Sequence, residues 1–356
     1  MRHLRAHLAG GFAALLLSLA LVPSVASAKE RESFDIAWSI YVGWMPFAYM
    51  DEKGIIDKWA DRYDIEINLT QVNDYIQGIN LYNAGKFDGV TATNMDTLTI
   101  PAAARTDTTA LIITDYSDGN DAVVMKNGDS VKDLAGQRVN LLQFSVSHYT
   151  LARALQMNDM SLRDVTTVNT KPADIAGVFE QPAVKAVTLW NPQLQTVMKH
   201  PEATEVFDSS QIPGEILDML IVNTETLEDN PELGKALVGA WYETMGIMYG
   251  DDAKAEKARS LMADAAGTDL EGYEGQLADT FMFTEPQDLV DFATDKRLQK
   301  TMTFVRDFTA DQGLLGGAPP ESIGIQFPDG ATLGDADNIV FRFNTEYIEQ
   351  AANGEL

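Results

Sequence analysis

The stretch "RVNLLQFSVSHYTLARAL", residues 138–155, contains the unit that decides the fold. Its first five residues have the length and apolar character of a buried strand, and a polar loop and an amphipathic helical pattern follow. A strand, a loop and a helix in this order form the repeating unit of a parallel α/β sheet. The loop holds Ser145, Ser147 and His148, which could be a nucleophile with its base or could be contacts for a ligand.

The same alternation of short β-branched runs and helical patterns extends in both directions from this unit. One set of strand-like runs precedes it, a second set surrounds it, and a return crossing at residues 212–223 ends in one more strand. We therefore predict two α/β lobes, the second inserted in the first, with residues 29–116 and 217–356 in the first lobe and residues 117–216 in the second. The strand-like runs are Phe34–Ile40, Asp64–Thr70, Asp88–Ala92, Ala110–Thr114, Asp121–Met125, Asp164–Val168 and Lys185–Leu189.

The segment after the return crossing is helical in pattern. Asn230 suits a helix cap, Pro231 suits the first turn, and apolar residues then recur at helical spacing. This apolar stripe includes Trp241, which we therefore expect in the core and not at a ligand site.

The first 28 residues read as a cleavable signal peptide. Arg2 and Arg5 precede an apolar run, and small residues end the segment at Ala28. The chain has no cysteine, which excludes disulfides and a lipid anchor on a cysteine. The sequence thus predicts an exported, untethered periplasmic protein, and we expect a monomer.

Composition excludes several classes of function. The chain has 53 acidic and 26 basic residues and a formal net charge of −27, so its surface repels nucleic acid and anionic lipid. Two of its four histidines, His3 and His7, belong to the signal segment, which makes a zinc or redox-metal site improbable. Neither an EF-hand loop nor a phosphate-binding glycine loop is present, and we expect no metal and no cofactor.

Polar and aromatic residues that look out of place share one kind of position, directly after a predicted strand. In open parallel sheets the ligand crevice lies at the carboxyl ends of the strands, so these loops should converge. Several members, among them Asn94, Asp118 and Asp174, also suit an ordinary role in a turn or helix cap. The candidate ligand-binding residues are Trp44, Asn94, Asp96, Ser117, Asp118, Asn120, Ser145, Ser147, His148, Asp174, Trp190 and Asn191.

The serine and histidine loop is better interpreted as a binding loop than as a catalytic one. Ser147 and His148 are adjacent, so their side chains diverge at a helix start, and no G-x-S-x-G elbow or nearby second histidine completes a triad. A helix N-terminus with free N–H groups and hydroxyls is instead a polar cradle for an anion or a carbonyl-like acceptor. We therefore expect a binding protein and not an enzyme.

Longer segments carry a family resemblance. The succession "IAWSIYVGWMPFAYMDEKGI", "SVKDLAGQRVNLLQFSVSHYTLARAL" and "AVKAVTLWNPQL" resembles the nitrate/sulfonate/taurine-type solute-binding proteins of ABC importers. The segments "NDYIQGINLYNAGKFDGVTATNMDTLTIPAA" and "GLLGGAPPESIGIQFPDGATLGD" resemble the subgroup encoded beside urea carboxylase genes. The resemblance implies a two-lobed periplasmic-binding-protein fold of type II, with mostly parallel sheets flanked by helices. It also implies capture of a small solute between the lobes and delivery to a permease powered by a cytoplasmic ATPase.

The sign of the ligand's charge follows from the candidate residues themselves. The candidate loops hold three aspartates and no basic residue except Lys171. Carboxylates and aromatic faces such as Trp44 and Trp190 suit guanidinium, whereas a nitrate or sulfonate pocket would need a fixed cation or many N–H donors. We favour a small planar nitrogenous ligand, guanidinium slightly ahead of urea. An anion held at the helix start near Ser147 remains the alternative, and an enzyme on the same fold is a weaker one.

Overall fold

The computed structural model describes residues 31–315 and 319–356. The predicted signal peptide, residues 1–28, lies outside these ranges. No helix within the described ranges combines the length and the apolarity that a membrane span requires.

The larger of two β-sheets is built from both ends of the described chain. Its strands are ordered β13, β12, β14, β4, β10, β3, β1, β2, and β11 pairs with the end of β4. These strands are β1 Ser33–Trp38, β2 Glu66–Gln71, β3 Gly89–Thr93, β4 Thr108–Ser117, β10 Leu217–Asn223, β11 Thr280–Met282, β12 Gly324–Gln326, β13 Thr332–Leu333 and β14 Ile339–Phe343.

The smaller sheet comes entirely from the middle of the chain. Its order is β7, β6, β8, β5, β9. The strands are β5 Asp121–Lys126, β6 Arg138–Leu141, β7 Thr166–Asn169, β8 Ala186–Trp190 and β9 Ala203–Asp208.

Both sheets are mixed because the chain crosses between them twice. The strands entered by a crossing, β5 and β10, run antiparallel to both of their neighbours. The pairs β1–β2, β1–β3, β6–β7 and β6–β8 are parallel, as strand and helix alternation requires. The chain leaves the larger sheet after Ser117 and returns to it at Leu217.

Helices cover the faces of the sheets. Ahead of the first crossing are α1 Met45–Glu52, α2 Ile55–Arg62, α3 Tyr75–Asn83 and α4 Asn94–Thr97, and between the crossings are α5 Val146–Gln156, α6 Pro172–Phe179 and α7 Gln193–Val197. After the return crossing come α8 Thr224–Asp229, α9 Pro231–Met248, α10 Ala253–Ala266, α11 Leu270–Ala278, α12 Pro286–Thr294, α13 Lys296–Asp311 and α14 Glu346–Ala352.

Successive side chains of a strand point to opposite faces of the sheet and therefore pack into different apolar clusters. In β5, Val123 and Met125 join the main core, while Ala122 and Val124 join a small separate cluster with Phe179 of α6. The inner strand β5 of the smaller sheet is therefore buried on both faces, as its continuous apolar run predicts, whereas the edge strands β7 and β9 are partly exposed.

The apolar stripe of α9 is buried as predicted, and Trp241 packs against Phe47 with ring centroids 5.4 Å apart. The predicted cap is wrong in detail. The Asn230 side chain makes no cap to α9 and instead donates to the carbonyl of Thr226, 2.8 Å away, at the end of α8. Asn230 lies between the end of α8 and the start of α9, so its side chain can cap either helix. It caps the C-terminal end of α8.

Candidate functional site

The crossing strand β10 brings a carboxyl group to the carboxyl ends of two parallel strands. Asp218 lies opposite Thr93 of β3 on one side and opposite Asp115 of β4 on the other. Oδ1 of Asp115 accepts from the hydroxyl of Tyr41 at 2.9 Å, and Oδ2 accepts from that of Thr114 at 2.8 Å. Both carboxyl groups are buried.

Two further buried carboxyl groups lie close to this pair. Asp96, in the first turn of α4, accepts from the hydroxyls of Tyr75 at 2.8 Å and Thr93 at 2.9 Å. Asp121, the first residue of β5, accepts from Ser117 at 2.8 Å, and its Oδ1 is buried without a hydrogen-bond partner. We call Asp96, Asp115, Asp121 and Asp218 the acidic cluster.

Burial dominates the electrostatics of the acidic cluster. It raises the pKa of Asp96 to about 6 and the pKa values of Asp115 and Asp121 to about 7. Burial, with the charges of Asp115 and Asp121, raises the pKa of Asp218 well above its ordinary value. Among the described residues no lysine, arginine or histidine forms a salt bridge with any of the four. The four buried carboxyl groups thus lie together without a basic side chain from the described residues to pair with them.

Three aromatic rings, those of Tyr41, Trp44 and Tyr75, pack together beside the acidic cluster. The ring of Trp44 stacks on Tyr75 at 5.7 Å and meets the edge of Tyr41 at 4.9 Å, so it lies between the two tyrosines that hold Asp96 and Asp115. The indole N–H of Trp44 is buried and has no hydrogen-bond partner. An apolar face and an unused donor next to carboxyl groups are what a planar polar ligand needs.

The backbone of the short 3₁₀ turn Val42–Trp44 lies directly against the carboxyl group of Asp115. A Cβ placed on Gly43 would overlap Oδ2 of Asp115 and would lie 2.7 Å from its Cγ. Only glycine leaves room for the carboxyl group at this position.

Three of the predicted residues organise the crossings between the sheets. The hydroxyl of Ser117 links Asp121 to the hydroxyl of Ser209, 2.7 Å away. Asn120 donates to Thr280 at 2.7 Å and accepts from the backbone N–H of Asn191 at 3.2 Å. The side chain of Asn191 in turn accepts from the N–H of Gln195 in α7 at 3.1 Å.

The side-chain amide of Asn94 also makes hydrogen bonds within the protein. Its amide donates to the carbonyl of Glu215 at 3.0 Å, and its oxygen accepts from the N–H groups of Met95 and Leu217. These bonds fix the return crossing against the end of β3, so the polar groups of Asn94 are occupied within the protein.

The N-terminus of α5 satisfies most of its own donors. The N–H of Ser147 donates to the hydroxyl of Ser145 at 3.3 Å, that of His148 donates to the Ser145 carbonyl at 2.9 Å, and that of Phe144 donates to Nδ1 of His148 at 3.2 Å. Phe144 adopts a left-handed backbone with φ of 65°, which directs its N–H back to the histidine. The predicted open cradle of N–H groups is therefore largely closed, although the Ser147 hydroxyl is buried without a partner.

His148 and Ser147 do not form a catalytic pair. Nδ1 of His148 already accepts a hydrogen bond, the Ser147 hydroxyl has no partner, and burial lowers the pKa of His148 to about 4. The imidazole is neutral and packs against Phe308 of α13 at 5.7 Å. These contacts give no support to hydrolase chemistry.

The remaining candidates are Asp118, Asp174 and Trp190. Asp174 is exposed on the first turn of α6, and Asp118 is half-buried with its N–H bound to the carbonyl of Asp279 at 3.0 Å. Trp190 is half-buried, lies opposite Asp121 in the β5–β8 pairing and lines a shallow recess together with Leu142 and Ile175. The structure does not bring Asp118 or Asp174 into hydrogen-bond contact with the acidic cluster.

Sequence reasoning missed five residues of the site although signals for them were present. Asp115 directly follows the predicted strand Ala110–Thr114, which is the position used for the other candidates. Asp218 is a single acid in the apolar run "LDMLIV", and an unpaired charge in a buried strand indicates function. The missed residues are Tyr41, Tyr75, Asp115, Asp121 and Asp218.

Solved structures of similar fold identify the architecture. The aliphatic sulphonate binding protein of Escherichia coli has a TM-score of 0.67 at 16% identity, and the match covers 80% of this chain and 94% of that one. The nitrate-binding protein of Synechocystis PCC 6803 has a TM-score of 0.56 at 13% identity, with 92% and 99% covered. The predicted periplasmic-binding-protein fold is confirmed, but the prediction of mostly parallel sheets is wrong, because the crossing strands and the edge strands pair antiparallel.

Sequence comparison gives the family. The taurine-binding periplasmic protein of Escherichia coli (strain K12) is 27% identical over 117 residues, which are 32% of this chain and 36% of that protein. The match thus spans about a third of the length of this relative. The NMT1/THI5-like family model matches residues 59–255, more than half of the chain. The chain therefore belongs to the NMT1/THI5-like family.

Proposed function

We propose that this protein is the solute-capturing component of an ABC importer, and that its ligand is a small planar nitrogenous cation, with guanidinium ahead of neutral urea. It acts in the periplasm as a monomer, after removal of residues 1–28. It delivers the ligand to a membrane permease that is driven by a cytoplasmic ATPase.

The observation that carries the proposed ligand is the acidic cluster. Burying a charged carboxylate without a partner costs several kcal/mol, so a cluster of four needs protons or a cation. Guanidinium is flat, is always charged and presents N–H donors in the plane that carboxylates accept from. The ring of Trp44 can lie against such a flat cation, and cation–π contact favours that arrangement.

The relatives named above are described as binding taurine, sulphonate or nitrate. Two features of this chain argue against an anion at the same place. The N–H groups that open α5 are engaged by Ser145 and His148, and His148 is neutral. An anion beside Asp115 and Asp121 would meet like charge in a buried setting.

The positions of the four aspartates in the two sheets suggest how a bound cation would stabilise lobe closure. Asp115 and Asp218 belong to the larger sheet, Asp96 lies in α4 directly after strand β3 of that sheet, and Asp121 begins the smaller sheet. A cation that contacts acids of both sheets stabilises the closed arrangement of the lobe at residues 29–116 and 217–356 and the inserted lobe at residues 117–216. A shift from about 1:99 to 99:1 requires about 5.5 kcal/mol, which two or three charge-assisted hydrogen bonds can supply at about 1.5–3 kcal/mol each.

Calorimetric titration of residues 29–356 against guanidinium, urea, nitrate and taurine tests the proposal. Asp115→Asn and Asp96→Asn keep the shape and remove the charge, so guanidinium affinity should fall by about ten- to a hundredfold and urea affinity by less. Asp174→Asn is the matched control, because it removes an exposed aspartate outside the cluster. Tight binding of nitrate or taurine without guanidinium would refute the ligand assignment, and equal losses for guanidinium and urea would refute the role of the carboxylates.

A further inference from the structure

Asp115 and Asp218 form a carboxyl pair across two neighbouring strands. They are directly opposite in the β4–β10 pairing and both are buried, so the two carboxyl groups lie close together on one face of the sheet. A hydrogen bond between two carboxyl groups needs a proton on one of them. Two carboxylates that face each other in a buried site also cannot both stay charged without a counter-ion.

The surrounding donors decide which member carries the proton. Asp115 accepts from Tyr41 on one oxygen and from Thr114 on the other, so its charged form is supported. Burial and the charge of Asp115 raise the pKa of Asp218 well above its ordinary value. The proton therefore resides on Asp218 and is donated to Asp115.

No basic group among the described residues opposes this assignment. The side chains that interact electrostatically with Asp218 are acids or phenols, and Arg259 acts on two nearby tyrosines and on neither member of the pair. The titratable groups facing the pair are Tyr41, Asp96, Asp121, Tyr249 and Tyr273.

Unused polar atoms beside the pair point to a ligand. Oδ1 of Asp121 and the indole N–H of Trp44 are both buried without a hydrogen-bond partner, and each residue is at least nine-tenths buried. An unpaired buried acceptor is costly, and the Asp121 oxygen is satisfied by a ligand that brings its own N–H groups. The Trp44 N–H is a donor and makes no hydrogen bond with guanidinium, which has no acceptor.

We propose that the Asp115–Asp218 pair holds one proton when no cation is bound and releases it to solvent when the cationic ligand enters, so that capture is an exchange of a cation for a proton. This rests on the proposed function. The O–H bond of Asp218 breaks, the proton passes to water or buffer, and a ligand N–H takes its place as donor to the freed oxygens. A neutral ligand such as urea leaves the proton in place.

The exchange predicts a pH dependence of affinity. Above about pH 8, Asp115 and Asp121, whose pKa values are about 7, are already ionised, and the proton on Asp218 is the one that guanidinium must displace. Guanidinium affinity of the wild type should therefore rise about tenfold per pH unit between pH 8 and pH 9. Asp218→Asn supplies an amide donor to Asp115 and thus imitates the protonated pair at every pH. In this range its guanidinium affinity should stay flat, whereas Asp174→Asn should keep the wild-type slope, and proton release is counted at the same pH.

Calorimetry in two buffers of different ionisation enthalpy counts the released protons directly. We expect about one proton per guanidinium for the wild type and none for Asp218→Asn. Guanidinium binding without proton release, or a slope that survives in Asp218→Asn, would overturn the exchange and leave the proposed function intact. No guanidinium binding at any pH would overturn both. Infrared spectroscopy gives a readout that does not depend on a ligand: a protonated-carboxyl band at pH 6 must be weaker in Asp218→Asn, and an unchanged band would refute the pair's proton.

Discussion

Gly43→Ala tests whether the position of Asp115 depends on a close approach of the backbone. The alanine Cβ would overlap Oδ2 of Asp115, and it would also lie 2.8 Å from a ring carbon of Tyr41. Real Cβ atoms do not come so close to other atoms, so the carboxyl group or the turn Val42–Trp44 must shift. Tyr41 is buried on the other side of Asp115 and limits the room for that shift.

The magnitude follows from two costs. Overpacking of a close-packed site costs about 1–3 kcal/mol. If the carboxyl group moves away from Tyr41, the 2.9 Å hydrogen bond between them is also lost, and a hydrogen bond to a charged group contributes about 1.5–3 kcal/mol. We expect Gly43→Ala to lower the free energy of unfolding by about 2–4 kcal/mol and to weaken guanidinium binding at least tenfold.

Thermal unfolding followed by circular dichroism measures the stability, since guanidinium and urea are both candidate ligands and would act as ligand and denaturant together. Gly246→Ala is the matched control: it lies within α9, and an added Cβ there meets no atom within 4 Å. That substitution should stabilise the protein by about 0.5–1 kcal/mol, because alanine favours a helix interior. If Gly43→Ala were as stable as the control, the close packing of Asp115 against this turn would be refuted.

Two further substitutions probe the pH response and the contact between the sheets. Burial raises the pKa of Asp121 to about 7, so its contribution to the stability of the ligand-free protein is present below about pH 4 and lost as the pH rises through 7. At pH 8 the ionised Asp121 lowers the free energy of unfolding by up to about 4 kcal/mol, and Asp121→Asn should remove this loss in thermal unfolding. Equal pH profiles for both proteins would contradict this. Glu215 accepts from Arg153 at 2.6 and 2.8 Å and from Tyr149 at 2.7 Å, which ties α5 to the return crossing. Glu215→Gln should lower stability by about 1.5–3 kcal/mol in the same assay and speed guanidinium release in stopped-flow measurements, and an unchanged release rate would show that this contact does not hold the lobes closed.

The architecture was predictable because strand and helix periodicities are local. Each strand that was predicted before the return crossing is present within a few residues, since apolar runs of four to seven residues define them. The strand Ala203–Asp208 was not predicted, because "ATEVFD" is half polar and its pairing with β5 at the edge of the smaller sheet is not visible locally. The position of the crevice followed from the rule that ligands bind at strand ends.

The chemistry of the crevice was less predictable because it depends on pairing between distant segments. Asp218 meets Asp115 only through the antiparallel register of β10 and β4, which joins residues about a hundred positions apart. Tyr75 opens α3, and its sequence position gives no sign that its hydroxyl donates to Asp96 of α4. The donors at the start of α5 looked free, and only the left-handed backbone at Phe144 turns one of them toward His148.

The fold does not set the sign of the charge that this crevice accepts. The core lies in the sheets and under the helices, so residues at strand ends can change without cost to the architecture. In this chain each strand end contributes an acid: Asp96 after β3, Asp115 at the end of β4, Asp121 at the start of β5 and Asp218 at the start of β10. A serine or an amide at these places would leave a crevice that an anion could enter. Four carboxyl groups buried in neighbouring positions require positive charge beside them, either as protons or as a cation, so on the proposed function protons take the place of an absent ligand.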